Sequence, residues 1–293
     1  MRGILTLAGE GTRMLPWSRG LRKEFLPLYD RGQNGLPVLK PIAHRVLETF
    51  VGAGITDIVL VVQPRDLAFV QNYFTIDREF LARHSHHVDR LRETREFYRT
   101  LGQLRLRFAV QTEPRGFGDA VLMAEPYVGH HPFVLHASDA ILVEDHPGRI
   151  PRAMADLREQ DDLDAVLLVR RVKHPTRYGV VEGSSSGRFR GLRRLTVVGM
   201  EEKPPHPRSN WAAAAVYAFS PRLFESLRAI ARGNPPELEV TTGVARMISE
   251  GGRVAALVLD SPSDWRSVGS PEGYLAALRR TYREAERPLK GRA

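Results

Sequence analysis

The chain has 293 residues, with 43 Lys and Arg against 34 Asp and Glu, a net charge of +9 and no cysteine. Its length suits one large α/β domain or two small ones, and the lack of cysteine excludes disulfides, thiolate metal sites and a cysteine nucleophile. No apolar run reaches the roughly 18 residues of a membrane span, and the basic charge is scattered rather than massed, which favours small anionic substrates over nucleic acid. The first residues run straight into a strand with no signal peptide, which together with the absent cysteines points to the cytoplasm.

Ile4 to Ala8 is a short apolar run that predicts a buried parallel strand. It empties into Gly9-Glu10-Gly11-Thr12-Arg13, where two glycines one residue apart let the backbone turn sharply and present several N–H groups to one point. Arg13 adds a fixed charge, and Lys23 follows ten residues later. A bare-backbone loop with an Arg and a Lys nearby suits a polyphosphate. It is neither a P-loop nor the dinucleotide G-x-G-x-x-G, since Met14 stands where the third glycine belongs.

Tyr29 to Leu36 reads as a polar turn, Pro41 to Gly52 as a helix with Ile42, Val46, Leu47 and Phe50 on one face, and Ile55 to Val62 as a second strand. Strand, helix and strand at this spacing predict a βαβ unit, and so a doubly wound, mostly parallel sheet. Residues 66 to 102 read as charged helix; His84, His86 and His87 beside Asp89 fit a solvated helix face better than a metal site. Leu106 to Val110 is a third strand. The loop after it, Gln111 to Val121, carries Gly116 and Gly118 ahead of an apolar helical run, at the strand end where ligands gather in such sheets.

Phe133 to His136 is a fourth strand, ending at Asp139, which by itself reads as a helix cap. Arg149 to Gln160 predicts a helix, Ala165 to Val169 a strand and Ser184 to Gly187 a surface hairpin turn. Ala214 to Phe219 and Val254 to Leu259 read as strands, Pro221 to Ala231 and Pro271 to Glu286 as helices, and Arg287 to Ala293 as a loose tail. No linker divides the chain, so residues 1–293 are read as one domain.

Together A-G-x-G-T-R at Ala8 to Arg13, K-E-x-L-P at Lys23 to Pro27, Q-x-x-x-x-G-x-G-x-A-V from Gln111, Y-G-V-V at Tyr178 and E-K-P at Glu202 resemble the sugar nucleotidyltransferases. The likeness is greatest to UTP–glucose-1-phosphate uridylyltransferases, with glucose-1-phosphate thymidylyltransferases as relatives. It implies a nucleotide-diphospho-sugar transferase-like, Rossmann-like fold. It also implies transfer of a nucleotide from UTP or dTTP to a sugar 1-phosphate with release of pyrophosphate, Mg²⁺ as cofactor, and self-association. By that resemblance Ala8, Gly9, Gly11, Thr12, Gln111 and Gly116 bind the nucleotide, Gln111 and Gly116 at its base. Arg13 and Lys23 are catalytic, Asp139 holds the metal, and Gly179, Glu202 and Lys203 hold the sugar phosphate. The chain has five lysines, and Lys23 and Lys203 fall on the family's phosphate-contacting positions.

Two positions depart from the family pattern. Ser267 stands where a D-x-G motif supplies a second metal ligand, and Thr242 replaces the acid of L-T-D. Asp264, three residues before Ser267, is the nearest acid that could compensate. A hydroxyl is a weak Mg²⁺ ligand beside a carboxylate, so a member that binds nucleotide sugars without turnover is the alternative.

Overall fold

A computed structural model describes residues 1–259 and 264–286. Strand β1 (Arg2–Thr6) is followed by a hairpin of β2 (Pro27–Arg31) and β3 (Pro37–Pro41), helix α1 (Ile42–Gly52) and β4 (Asp57–Val62). Three helices then precede β5 (Arg105–Val110): α2 (Leu67–Tyr73), α3 (Arg78–Arg83) and α4 (Arg92–Gly102). Helices α5 (Phe117–Met123) and α6 (Glu125–Val128), strands β6 (Phe133–Ala137) and β7 (Ala140–Val143), and helix α7 (Arg149–Gln160) come next. The rest is β8 (Ala165–Arg171), β9 (Gly179–Phe189), β10 (Leu192–Glu202), β11 (Trp211–Phe219), α8 (Arg222–Ala231), α9 (Val240–Ser249), β12 (Val254–Val258), β13 (Asp264–Ser267) and α10 (Pro271–Glu286).

The main sheet has the strand order β5-β4-β1-β6-β11-β8-β12-β10-β9. Ile4 and Leu5 of β1 point to opposite faces and enter different core clusters, as period-two alternation requires. On the Leu5 face lie Val46, Leu47 and Phe50 of α1 with Ile150, Met154 and Leu157 of α7. On the Ile4 face lie Val121, Leu223, Phe224, Val240 and Val244 of α5, α8 and α9. Burial of each such Leu, Ile, Val or Phe stabilises the fold by about 1.5–3 kcal/mol. A third cluster, with Leu28, Ile141, Val268 and Ala277, seats α10 and the small β7–β13 ribbon against β2.

The sheet is mixed, which corrects the mostly parallel expectation. β5, β4, β1 and β6 run parallel, as do β8 and β12, whereas β11 is antiparallel to β6 and β8, and β10 to β12 and β9. The antiparallel half comes largely from β9 and β10, a long hairpin that the serine-rich run Ser184 to Gly187 disguised as a turn. Those residues lie inside β9; the chain reverses at Arg190-Gly191, both at positive φ (46° and 83°), the geometry of a two-residue hairpin loop. The Tyr29–Leu36 turn is also shorter than expected, because Tyr29 to Arg31 belong to β2 and the reversal is closed by Gly32 N donating to Leu36 O. The tail 287–293 lies outside the described residues. No described helix is long and apolar enough to cross a membrane.

Candidate active site

The chain leaves β1 into the glycine turn, whose carbonyls are tied down. Ala8 O accepts from Gln63 Nε2 (2.7 Å), Gly9 O from an Arg22 guanidinium N–H (3.2 Å) and Gly11 O from Ser18 Oγ (2.8 Å). Arg22 also donates to Gln63 Oε1 (2.6 Å) and pairs with Asp66. The N–H groups of Gly9, Glu10, Gly11 and Thr12 donate to nothing among the described residues. Gly11 sits at φ +67°, and a Cβ added to Gly9 would stand 3.7 Å from Lys23 Nζ. The turn is thus a set of free donors beside an ammonium, an anion-binding arrangement.

Lys23, buried in a short turn after Arg22, sends Nζ to 3.5 Å from Asp139 Oδ2. Arg13 reaches the same oxygen at 3.8 Å with a side chain 69% exposed, free to follow a ligand. Asp139 stands at the joint between β6 and β7. Glu24, next to Lys23, is fully buried; it accepts from Ser138 Oγ (3.1 Å), and its other oxygen has no partner. Burial pushes the Glu24 carboxyl up to about 7, against the pull of Lys23.

The loop after β5 is laced to the segment before α9. Gly118 N donates to Leu238 O (2.7 Å) and Leu238 N to Arg115 O (2.8 Å). Gly116, at φ +112°, has no room for a side chain, because a Cβ would lie 2.4 Å from Leu238 O. The buried Gln111 amide donates to Asp119 Oδ2 (2.8 Å) and, at 3.3 Å, to Gly116 O. Its donors are engaged, and its carbonyl oxygen is the group left to meet a ligand.

The opposite end is built from the antiparallel half. Lys203, at φ +43° just past β10, is fixed by its N–H to Tyr178 O (3.0 Å), and its ammonium meets Glu202 Oε1 at 2.8 Å. That contact holds the Lys203 ammonium above its ordinary pKa. Glu202 Oε2 accepts from Thr241 Oγ1 (3.0 Å). A Cβ on Gly179 would lie 2.5 Å from Thr241 Cγ2 and 3.3 Å from Glu202 Oε2. Glu239, half-buried, is pushed up to about 7 by burial and by the neighbouring Glu202.

One cleft of about 810 Å³ is lined by all twelve residues singled out in the sequence: Ala8, Gly9, Gly11, Thr12, Arg13, Lys23, Gln111, Gly116, Asp139, Gly179, Glu202 and Lys203. It is also lined by Tyr217, Glu237, Glu239, Thr241, Trp265 and Gly269, to which the motifs assigned no role. Glu237 to Thr242 is a legible motif, but which of its side chains face inward is set by the start of α9. Thr242 is exposed and donates to its own turn at Glu239 O (2.7 Å), while Thr241 enters the cleft. Asp264 is not a compensating ligand: it pairs with Arg266 (2.5 Å) and Arg280 (3.6 Å) and does not line the cleft.

Near the glycine turn the carboxylate held between Arg13 and Lys23 is Asp139; Glu10, exposed in the turn, and Ser267 line the same cleft. Among the described residues no group of three or more His, Asp or Glu could hold a metal, and Asp89 of the histidine cluster pairs with Arg92 (2.6 Å). These residues do not fit a resident Mg²⁺ centre, which needs near-octahedral oxygen donors. Mg²⁺ carried in by a triphosphate is a different case, because the phosphates then supply most of the ligands.

A family profile described as nucleotidyl transferase matches residues 2–284. A glucose-1-phosphate thymidylyltransferase of Neisseria gonorrhoeae is 28% identical over 273 residues, covering 93% of this chain and 79% of that one. A UTP–glucose-1-phosphate uridylyltransferase of Mycoplasma pneumoniae is 27% identical over 257 residues, covering 85% and 82%. Among solved structures, an apo UDP-glucose pyrophosphorylase superposes with a TM-score of 0.82 at 23% identity, over 97% of this chain and 99% of its own.

Proposed function

On the premise that this chain belongs to the nucleotidyl transferase family, we propose that it joins UTP or dTTP to a sugar 1-phosphate, with glucose 1-phosphate as the first candidate, and releases pyrophosphate. One observation carries the reading: a single cleft holds free N–H donors, Arg13 and Lys23 at one end, and a lysine braced by a carboxylate, Lys203–Glu202, at the other. That spacing of cations suits two phosphate groups meeting in between.

The sugar phosphate oxygen attacks the α-phosphorus in line and pyrophosphate leaves opposite. The nucleophile is already ionised, so no general base is needed, and catalysis consists of positioning and charge neutralisation. Lys203 anchors the nucleophile, Lys23 offsets charge developing between the phosphates, and the exposed Arg13 follows the departing pyrophosphate. Asp139 is the carboxylate that would be available to Mg²⁺ carried in by the triphosphate substrate, which would supply charge neutralisation there. Gln111, left with a free carbonyl, accepts the imide N–H that uracil and thymine carry at N3 and cytosine lacks. Glu202, Thr241 and Tyr217 face the sugar hydroxyls. The cysteine-free composition supports a reducing compartment such as the cytoplasm, and light scattering tests the proposed self-association.

Pyrophosphate release from UTP or dTTP with glucose 1-phosphate and MgCl₂ tests the reading. Release that requires both substrates supports it. Binding of UDP-glucose with no release under any pairing moves the protein to the second reading, a nucleotide-sugar-binding member without turnover, which Ser267 favours.

A further inference from the structure

We propose that Arg13 and Lys23 neutralise the phosphate end of this cleft in place of a protein-held divalent ion, so that the protein binds a nucleoside diphosphate sugar without metal. Ser267 is the residue that keeps it so. The inference rests on the proposed nucleotide reading and concerns how the same site handles charge.

The geometry behind it is local. Strand β13 lies beside Asp139: Ser267 pairs with Ala140 on β7, and Val268 N donates to Asp139 O at 2.7 Å. Residue 267 lines the same cleft as Asp139, one register step away in the ribbon, so an oxygen carried there faces the same space. It offers a hydroxyl, which accepts weakly from Gly269 N at 3.4 Å. The main chain at Gly269 is pressed close to both partners, since a Cβ there would lie 2.9 Å from the Arg13 guanidinium and 3.1 Å from Asp139 Oδ2.

Asp139 Oδ2 therefore has an ammonium at 3.5 Å and a guanidinium at 3.8 Å; the other carboxylate near Lys23, Glu24 at 3.9 Å, is fully buried and does not line the cleft. A divalent ion drawn to that oxygen from the cleft meets two cations already paired with it. A carboxylate at 267 adds one negative charge to the cleft and offers a hard cation a second oxygen ligand. A diphosphate brings its own negative charge, which the glycine turn, Arg13 and Lys23 already satisfy.

The test is a calorimetric titration with UDP-glucose in MgCl₂ and in EDTA, on the wild-type protein and on Ser267→Asp and Ser267→Asn. The asparagine variant keeps the size of the new side chain without its charge, and matching melting curves establish that each variant is folded. Wild type and Ser267→Asn are expected to bind within about threefold with and without Mg²⁺, and Ser267→Asp at least about tenfold more tightly with it. A tenfold or greater loss of wild-type affinity in EDTA would overturn the inference, and so would a folded Ser267→Asp protein indifferent to Mg²⁺. Failure of the wild-type protein to bind UDP-glucose in either buffer removes the nucleotide reading itself, a result distinct from metal-dependent binding.

Discussion

The two ends of the cleft are built differently. The phosphate end comes almost entirely from one continuous stretch, Ala8 to Lys23, with Asp139 added from the neighbouring parallel strand. The sugar end is gathered from Tyr178–Gly179, Glu202–Lys203, Tyr217 and Glu237–Thr241, on three antiparallel strands and the entry to α9. Charge follows the same division. At the first end Arg13 and Lys23 flank Asp139, with Glu10 exposed in the turn; at the second Glu202, Glu237 and Glu239 surround Lys203. Rigidity differs too: carbonyl contacts from Arg22, Gln63 and Ser18 brace the glycine turn, whereas the sugar end depends on close packing among Gly179, Thr241 and Glu202. Two of the three braces, Arg22 and Ser18, come from the same stretch as the turn, but a surface contributed by four segments exists only once the sheet has closed.

The comparison breaks most visibly at Lys23. Lys23→Ala is expected to lower kcat about 10³-fold while UTP affinity falls less than about tenfold, because the ammonium acts where charge develops. Equal losses in steady-state kinetics and equilibrium titration would remove its transition-state role. At the other end, Gly179→Ala puts a methyl 2.5 Å from Thr241 Cγ2, so KM for the sugar phosphate should rise about 10–100-fold. Nucleotide affinity, measured separately, should barely move; a parallel loss would mean that the two ends are not independent.

Glu24 tests the difference through pH. Its carboxyl is raised from 4.5 to about 7, so its contribution to stability is fully present below pH 4.5 and is lost as pH rises toward 7. That contribution is on the order of 3 kcal/mol. Glu24→Gln should therefore flatten the decline of chemical-denaturation stability between pH 5 and 8; an unchanged slope would show that Glu24 does not titrate there. The smallest effect lies outside both ends. Asp77 accepts from Phe80 N (2.8 Å) at the start of α3, and Asp77→Ala should cost about 1 kcal/mol with kinetics unchanged.

Much of this was readable because the chemistry is local. Gly9, Gly11, Arg13 and Lys23 fall in one stretch, and apolar runs such as Ile55–Val62 marked the parallel strands around it. The hairpin of β9 and β10 was not readable. Ser184 to Gly187 carry turn composition, yet they sit in a strand whose partners are supplied by Thr196 and Leu195 across the sheet. Whether Asp264 could replace the acid missing at Ser267 was likewise undecided until packing turned it toward Arg280.

By itself, the sequence determined the phosphate end: which backbone is bare, where the cations stand, and that residue 267 is a hydroxyl. Those are properties of covalent order over a few residues, where glycine spacing and charge act at short range. Only the tertiary structure decided the sugar end, the mixed sheet and the pairing of Asp139 with Arg13 and Lys23. Each needs segments far apart in the chain to be brought within a few ångströms, and burial of the sheet's two faces does that.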